Sequence, residues 1–179
     1  WKNKNILKNN SVVGTSMSNS ALQKYLEKKN IKFIRADVGD RNIIKEMKKR
    51  NLVLGGEPSG HIILSNLSSS GDGLLASLEV LHTLKEKNKK LSFLSSSFKA
   101  YPQVTEDLLI SKNTSAEKIL KKSKPEILKL NKFIKSKGRL LVRKSGTENK
   151  IRIMVESKNK TIAEKILQKA KKVFKNINI

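Results

Sequence analysis

The sequence predicts an α/β chain in two parts, and three observations carry that prediction. Short apolar runs alternate with stretches of helical period along most of the 179 residues. A run of small polar residues ending in proline, Ser95-Ser96-Ser97-Phe98-Lys99-Ala100-Tyr101-Pro102, interrupts the alternation and reads as a domain junction with hinge character. Beyond it the order becomes strand, helix, strand, strand, helix. The length suits two domains of roughly 80–100 residues, which we place at residues 1–97 and 98–179.

Residues 1–10 are rich in Asn and Lys without apolar period and read as the end of a connection. A strand at 11–14 leads through Ser18 and Asn19, both N-cap residue types, into a helix over 21–29 whose Leu22, Tyr25 and Leu26 share a face. A strand follows over 31–38. Asp40 then suits the cap of a helix that turns Ile43, Ile44 and Met47 inward. Residues 52–54 and 61–64 read as strands flanking a Gly-rich loop, and a third helix runs over 73–87 behind Asp72 as cap. The spacing of Leu74, Leu78 and Leu81, with Leu75 alongside, marks its core stripe. His82 on this helix has no partner in the sequence and reads as structural.

In the second part, 103–111 reads as a strand. Thr114-x-x-Glu117 and Ser123-x-x-Glu126 read as capping boxes that open two helical pieces, and Thr161-x-x-Glu164 as one that opens the last helix. That helix carries Leu167, Ala170 and Phe174 as an apolar row.

Lys and Arg outnumber Asp and Glu by 39 to 15, a net charge of +24. Such a charge favours phosphate-bearing partners. Its distribution argues against nucleic acid: only six of the cations are Arg, Lys is spread over every predicted helix, and aromatic residues are too few for a stacking platform. Cysteine is absent, which removes disulfides and thiolate metal sites and fits a reducing, cytoplasmic setting. The apolar runs fall far short of the roughly 20 residues a membrane span needs, so no membrane partner is expected.

Two segments carry chemistry. Arg143-Lys144-Ser145-Gly146-Thr147-Glu148 lies between two short strands, followed by Arg152. Hydroxyls of Ser145 and Thr147, backbone N–H groups around Gly146 and the guanidinium forks of Arg143 and Arg152 together match the acceptor oxygens of a phosphoryl group. Arg152 has a rival role as the partner of Glu148 or Glu156. Gly55-Gly56-Glu57-Pro58-Ser59-Gly60-His61 places a carboxylate, a hydroxyl and an imidazole at the mouth of an apolar strand. That combination suits a sugar, because a carboxylate accepts from two hydroxyls with charge-assisted strength.

These segments resemble the phosphohexomutase superfamily, whose sugar loop is of the Gly-Glu-x-Ser-Gly-His type and whose C-terminal phosphate loop is of the Arg-x-Ser-Gly-Thr-Glu type. The resemblance runs from about Val12 to about Phe174. Val38-Gly39-Asp40-Arg41 and Ser69-Ser70-Gly71-Asp72-Gly73 point to the branch acting on glucosamine phosphates, with phosphoglucomutases and phosphomannomutases as the alternative. A basic nucleic-acid-binding fragment is the rival from another class.

The resemblance implies a mixed-sheet α/β sugar-binding domain of the superfamily's domain 3 type, followed by a smaller α+β domain 4 that is similar to the TATA-box-binding-protein fold. It implies interconversion of glucosamine 6-phosphate and glucosamine 1-phosphate through a phosphoserine enzyme and a bisphosphate intermediate. It also implies that Glu57, Ser59 and His61 meet the sugar, that Asp40 and Arg41 face the substrate, and that Arg143, Ser145, Gly146, Thr147 and Arg152 hold the phosphate remote from the reacting end. His61 keeps two readings, near the reacting phosphate or as an orienter of Glu57. The phosphorylated serine and the magnesium-binding Asp-rich loop belong to domains 1 and 2 of such an enzyme, and neither motif occurs here. The chain opens on Trp1, so we read it as the C-terminal part of a longer protein, inactive alone and partnered by those domains.

Overall fold

Val12 and Val13 are both buried, yet they belong to different apolar clusters, and that alternation organises the first part of the chain. The computed structural model describes residues 1–111, 114–135, 137–146 and 148–177. It divides into two compact units, Trp1–Ala100 and Tyr101–Ile179.

In the first unit, β1 (Ser11–Thr15) is buried at every residue because helices cover both faces of its sheet. It pairs in parallel with β2 (Lys32–Ala36) and with β3 (Leu54–Gly56), which pairs antiparallel with β4 (Ile62–Leu64), giving the order β2-β1-β3-β4 and a mixed sheet. α1 (Ser20–Lys28) places Leu26 against Val12 and Val53 on one face. α2 (Asp40–Arg50) places Ile43 and Met47 against Val13, Ala36, Leu52 and Ile63 on the other. α3 (Gly73–Lys87) and the short α4 (Leu91–Ser95) complete the unit.

Local chemistry explains most boundaries and several departures from the sequence reading. Asn19 caps α1 by accepting from the Ala21 amide, and Asp72 caps α3 by accepting from the Leu75 amide. At α2 the cap is Gly39. Asp40 is already helical and its Oδ1 accepts from the amide of Arg41 next to it, so it does not cap the helix as the sequence suggested. The leucine stripe of α3 is the larger correction. Leu74, Leu78 and Leu81 are 74%, 54% and 60% exposed, and the residue α3 buries is the small Ala76. Periodicity shows which residues share a helix face; it does not show which face the unit's own sheet will cover. His82, read as partnerless, lies 3.5 Å from Glu86 one turn on.

The second unit is a three-stranded antiparallel sheet, β5 (Gln103–Leu109), β6 (Gly138–Lys144) and β7 (Lys150–Ser157), with β7 central. α5 (Ala116–Ile134) and α6 (Lys160–Lys175) cover one face, where Ile151, Ile153 and Val155 meet Ile119, Ile134, Ile166, Ala170 and Phe174. Gly138 sits so close to β7 that a Cβ there would lie 2.0 Å from the Glu156 carbonyl oxygen, which only glycine avoids.

Its helix starts are shifted from the predicted capping boxes. Ser115 caps α5 and Asn159 caps α6, each side chain accepting from the amide three residues on. Ser123 does not open a second piece. Its hydroxyl donates to the Leu120 carbonyl inside one continuous helix that also contains Pro125. The apolar stripe through Ile119, Ile127, Leu130 and Ile134 keeps packing on the core across that proline, and burial outweighs the lost backbone bond.

Candidate functional site

The sugar-type loop follows from three short-range constraints. β3 and β4 bring Glu57 and His61 together, and the amide of Glu57 donates to the carbonyl of His61 at 3.0 Å. The Gly60 amide donates to the Glu57 carbonyl at 3.0 Å, and Gly60 itself has φ +97°, a left-handed conformation that other residues adopt only with strain. The tight turn then sets the side chains. The Ser59 hydroxyl lies 2.9 Å from His61 Nδ1, which is also 3.5 Å from a carboxylate oxygen of Glu57. The other oxygen of Glu57 accepts from the Gly39 amide at 3.3 Å, tying this loop to the start of α2, where Asp40 and Arg41 lie.

The Glu57 side chain is only 10% exposed, whereas His61 is 55% exposed. The carboxylate is therefore fixed from behind and the imidazole is available in front. Of the two readings of His61, orientation of Glu57 has direct geometric support, since one ring nitrogen is near both Ser59 and Glu57. Asp40 and Arg41 are exposed beside this loop, and among the described residues no side chain pairs with the Arg41 guanidinium.

The phosphate-type hairpin rests on strand register. Arg143 of β6 stands directly opposite Arg152 of β7, and Arg152 stands directly opposite Asp107 of β5. Pleating puts this row on the sheet face away from α5 and α6, together with Arg139, Glu156 and Gln103 at the far end. Two like charges directly opposite each other are destabilising. Here the Nε atoms of both Arg143 and Arg152 are buried without a hydrogen-bond partner. Burial pulls the Arg143 guanidinium below its ordinary range, the charge of Arg152 adds to that, and Asp107 opposes it.

The surrounding charges are arranged unevenly. Lys150 is held by Asp107 and Glu148, both at 2.7 Å, and these contacts raise its pKa. Hydrogen bonding to Lys150, helped by the charges of Lys150, Arg152 and Arg143, holds the Asp107 carboxyl below its ordinary range. Arg152 has Asp107 and Glu148 at 3.6 Å each, near enough for attraction and too far for hydrogen bonds. Arg143 has no carboxylate among the described residues and donates only to the Lys144 carbonyl at 3.2 Å.

Of Arg152's two rival partners, Glu148 is near. Glu156 is engaged elsewhere, by Arg139 at 3.1 Å and Gln103 at 2.6 Å. Ser145 is buried at the hairpin end, where its amide donates to the Lys150 carbonyl at 2.9 Å. Space is open above Gly146, since a Cβ there would meet nothing within 4 Å. Thr147 lies outside the described residues. The participant missed in the sequence is Asp107, which read only as part of a strand; the alternation of 103–109 holds the signal, because it puts Asp107 on the face of Gln103 and Thr105.

The two units agree with two successive domain models. Residues 1–101 match "Phosphoglucomutase/phosphomannomutase, alpha/beta/alpha domain III", and residues 100–173 match "Phosphoglucomutase/phosphomannomutase, C-terminal domain". The chain belongs to this family of phosphohexomutases. Its relatives include proteins named phosphoglucosamine mutase. One from Pelagibacter ubique is 47% identical over 169 residues, covering 94% of this chain and 37% of its own length. Another from Ruthia magnifica is 42% identical over 178 residues, covering 98% and 40%. The chain thus spans about two fifths of the length of the curated relatives it matches.

Solved structures give the same fold at low identity. An N-acetylglucosamine-phosphate mutase in its substrate complex superposes with TM-score 0.72 at 19% identity, over 91% of this chain and 38% of that one. A phosphoglucomutase/phosphomannomutase family protein from Burkholderia thailandensis gives 0.75 at 15%, over 93% and 37%. The Aspergillus fumigatus N-acetylphosphoglucosamine mutase, in complex with GlcNAc-6P and magnesium, gives 0.70 at 16%, over 94% and 41%.

Proposed function

We propose that this chain is the substrate-gripping part of a phosphoglucosamine mutase, which interconverts glucosamine 6-phosphate and glucosamine 1-phosphate. The observation that carries the reading is the cross-strand pair of Arg143 and Arg152, two guanidiniums with buried, unpartnered Nε atoms beside an open glycine. A bound phosphate would supply the missing acceptors and remove the like-charge repulsion in one step. Inorganic phosphate alone would satisfy that need, so the sugar specificity is assigned to Glu57 and Ser59. The carboxylate accepts from hydroxyls, and His61 with the Gly39 amide keeps it oriented.

In this reading the chain's contribution to the reaction is positioning. Arg143, Ser145, Gly146, Thr147 and Arg152 hold the phosphate that is not reacting, while Glu57, Ser59, Asp40 and Arg41 serve the sugar. Hydroxyl and phosphate clamps of this kind accept a substrate in either orientation, as an exchange of phosphate between two positions of one sugar requires. The phosphoserine that donates the phosphoryl group, and magnesium, which would neutralise developing charge on it, are assigned to residues outside this chain. Among the described residues no group of three or more His, Cys, Asp or Glu is placed to hold a metal ion. Nor is any described helix long and apolar enough to cross a membrane.

Calorimetry with glucosamine 6-phosphate tests the reading. The chain should bind it more tightly than mannose 6-phosphate, with inorganic phosphate competing, and should show no turnover by itself. Turnover by the chain alone would refute the division of labour. Salt-sensitive retention of DNA that glucosamine 6-phosphate leaves untouched would favour the nucleic-acid reading instead.

A further inference from the structure

We infer that Asp107 is an internal counterion of the phosphate hairpin, which holds Arg152 in place while the hairpin is empty and is displaced from it by the incoming anion. This rests on the phosphate reading of Arg143 and Arg152 given above.

Three observations support it. First, Asp107, Arg152 and Arg143 form one row across β5, β7 and β6, so the carboxylate is aligned with the guanidiniums by the sheet ladder itself. Second, the contact to Arg152 is loose. Asp107 Oδ1 lies 3.6 Å from Arg152 Nε, close enough to offset its charge, while that Nε keeps no hydrogen-bond partner. Third, Asp107 has an alternative partner ready, because its other oxygen lies 2.7 Å from Lys150 Nζ. If a phosphate oxygen takes Arg152, the carboxylate stays neutralised by Lys150 and is not left unpaired.

The position thus carries a fixed negative charge beside a site for negative ligands. Such a charge has opposing effects: it lowers affinity by repulsion and competition, and it steadies the cation pair before the ligand arrives. The geometry favours the first. The hydrogen bond of Asp107 goes to Lys150, and only a longer, replaceable attraction goes to Arg152. Asp107 is 43% exposed on an edge strand, so an isosteric amide there leaves the core untouched.

Binding of inorganic phosphate to the chain, measured by calorimetry at low salt, separates the outcomes. D107N should tighten binding about 3- to 10-fold, and the gain should shrink as salt screens the charge. Unchanged or weaker binding by a folded D107N overturns the inference. A second measurement needs no substitution: the carboxyl carbon of Asp107, followed by NMR through an acid titration, should titrate at higher pH with phosphate present, and an unchanged titration overturns the inference equally. R143A is the control for the parent reading. If R143A binds phosphate as well as the parent chain, the phosphate reading itself fails; if R143A loses binding while D107N changes nothing, only the counterion role fails.

Discussion

The sugar-type loop and the phosphate-type hairpin are both short, polar and glycine-containing, yet they are finished to different degrees. Within the loop from Glu57 to His61 the polar side chains have local partners: Ser59 has His61, Glu57 has the Gly39 amide, and the backbone closes on itself twice. Around Arg143 the reverse holds, with two opposed cations, two orphaned nitrogens and two carboxylates, Asp107 and Glu148, each 3.6 Å from Arg152. The difference fits the ligands proposed for them. A hydroxyl is neutral and can replace one hydrogen bond by another, so a site for it can be satisfied in advance. An anion site that satisfied its cations internally would have nothing left to offer.

Removing a cation should therefore be the most damaging change. Arg143→Ala should weaken phosphate and phosphosugar binding by about 2–3 kcal/mol, roughly 30- to 150-fold, since it strips charge-assisted bonds from a half-buried anion. Selectivity among sugars should be unaffected. Equal retention of phosphate binding in a titration would place the site elsewhere.

A smaller and differently shaped effect is expected from Glu57→Gln. The amide keeps the size but lacks charged acceptance of two hydroxyls, so glucosamine 6-phosphate should lose about 1–1.5 kcal/mol of binding. Inorganic phosphate should bind as before. In a full-length enzyme the same change should lower turnover and alter preference between sugar epimers, and kinetics that keep both would remove Glu57 from the sugar site.

The smallest effect is on stability against pH. Asp107 is held below its ordinary range in the folded chain, so its contribution is present above the unfolded value of about 3.9 and fades as pH falls through the lower folded value. Urea midpoints of the parent chain should drop more steeply below about pH 4 than those of Asp107→Asn. Parallel curves would mean that the row of charges contributes nothing to the fold.

Much of this contrast was legible in the sequence, because both loops are local. Glu57, Ser59 and His61 lie within five positions, and Arg143 and Ser145 lie within three. The hairpin partner Arg152 was legible too, since a short loop between two apolar runs sets them antiparallel. What escaped was set at long range. Asp107 lies 45 residues from Arg152, and only the pairing of β5 with β7 makes them neighbours. The α3 leucines escaped for a related reason. Their spacing is helical and the helix is where it was expected, but burial depends on what the rest of the unit places nearby. Caps were misplaced by one or two residues because Ser115 and Asn159 compete with equally suitable neighbours, Thr114 and Thr161.

The row of Asp107, Arg152 and Arg143 runs at right angles to three hydrogen-bonded strands, and its middle member belongs to the strand paired on both sides. A backbone shift at Gly146 would leave the register of Arg143 with Arg152 unchanged. Only rupture of a ladder can part the strands that carry them, and the core of Ile151, Ile153 and Val155 opposes it on the other face. If this surface receives an anion as proposed, its readiness accordingly has the lifetime of the sheet and ends only when the domain opens.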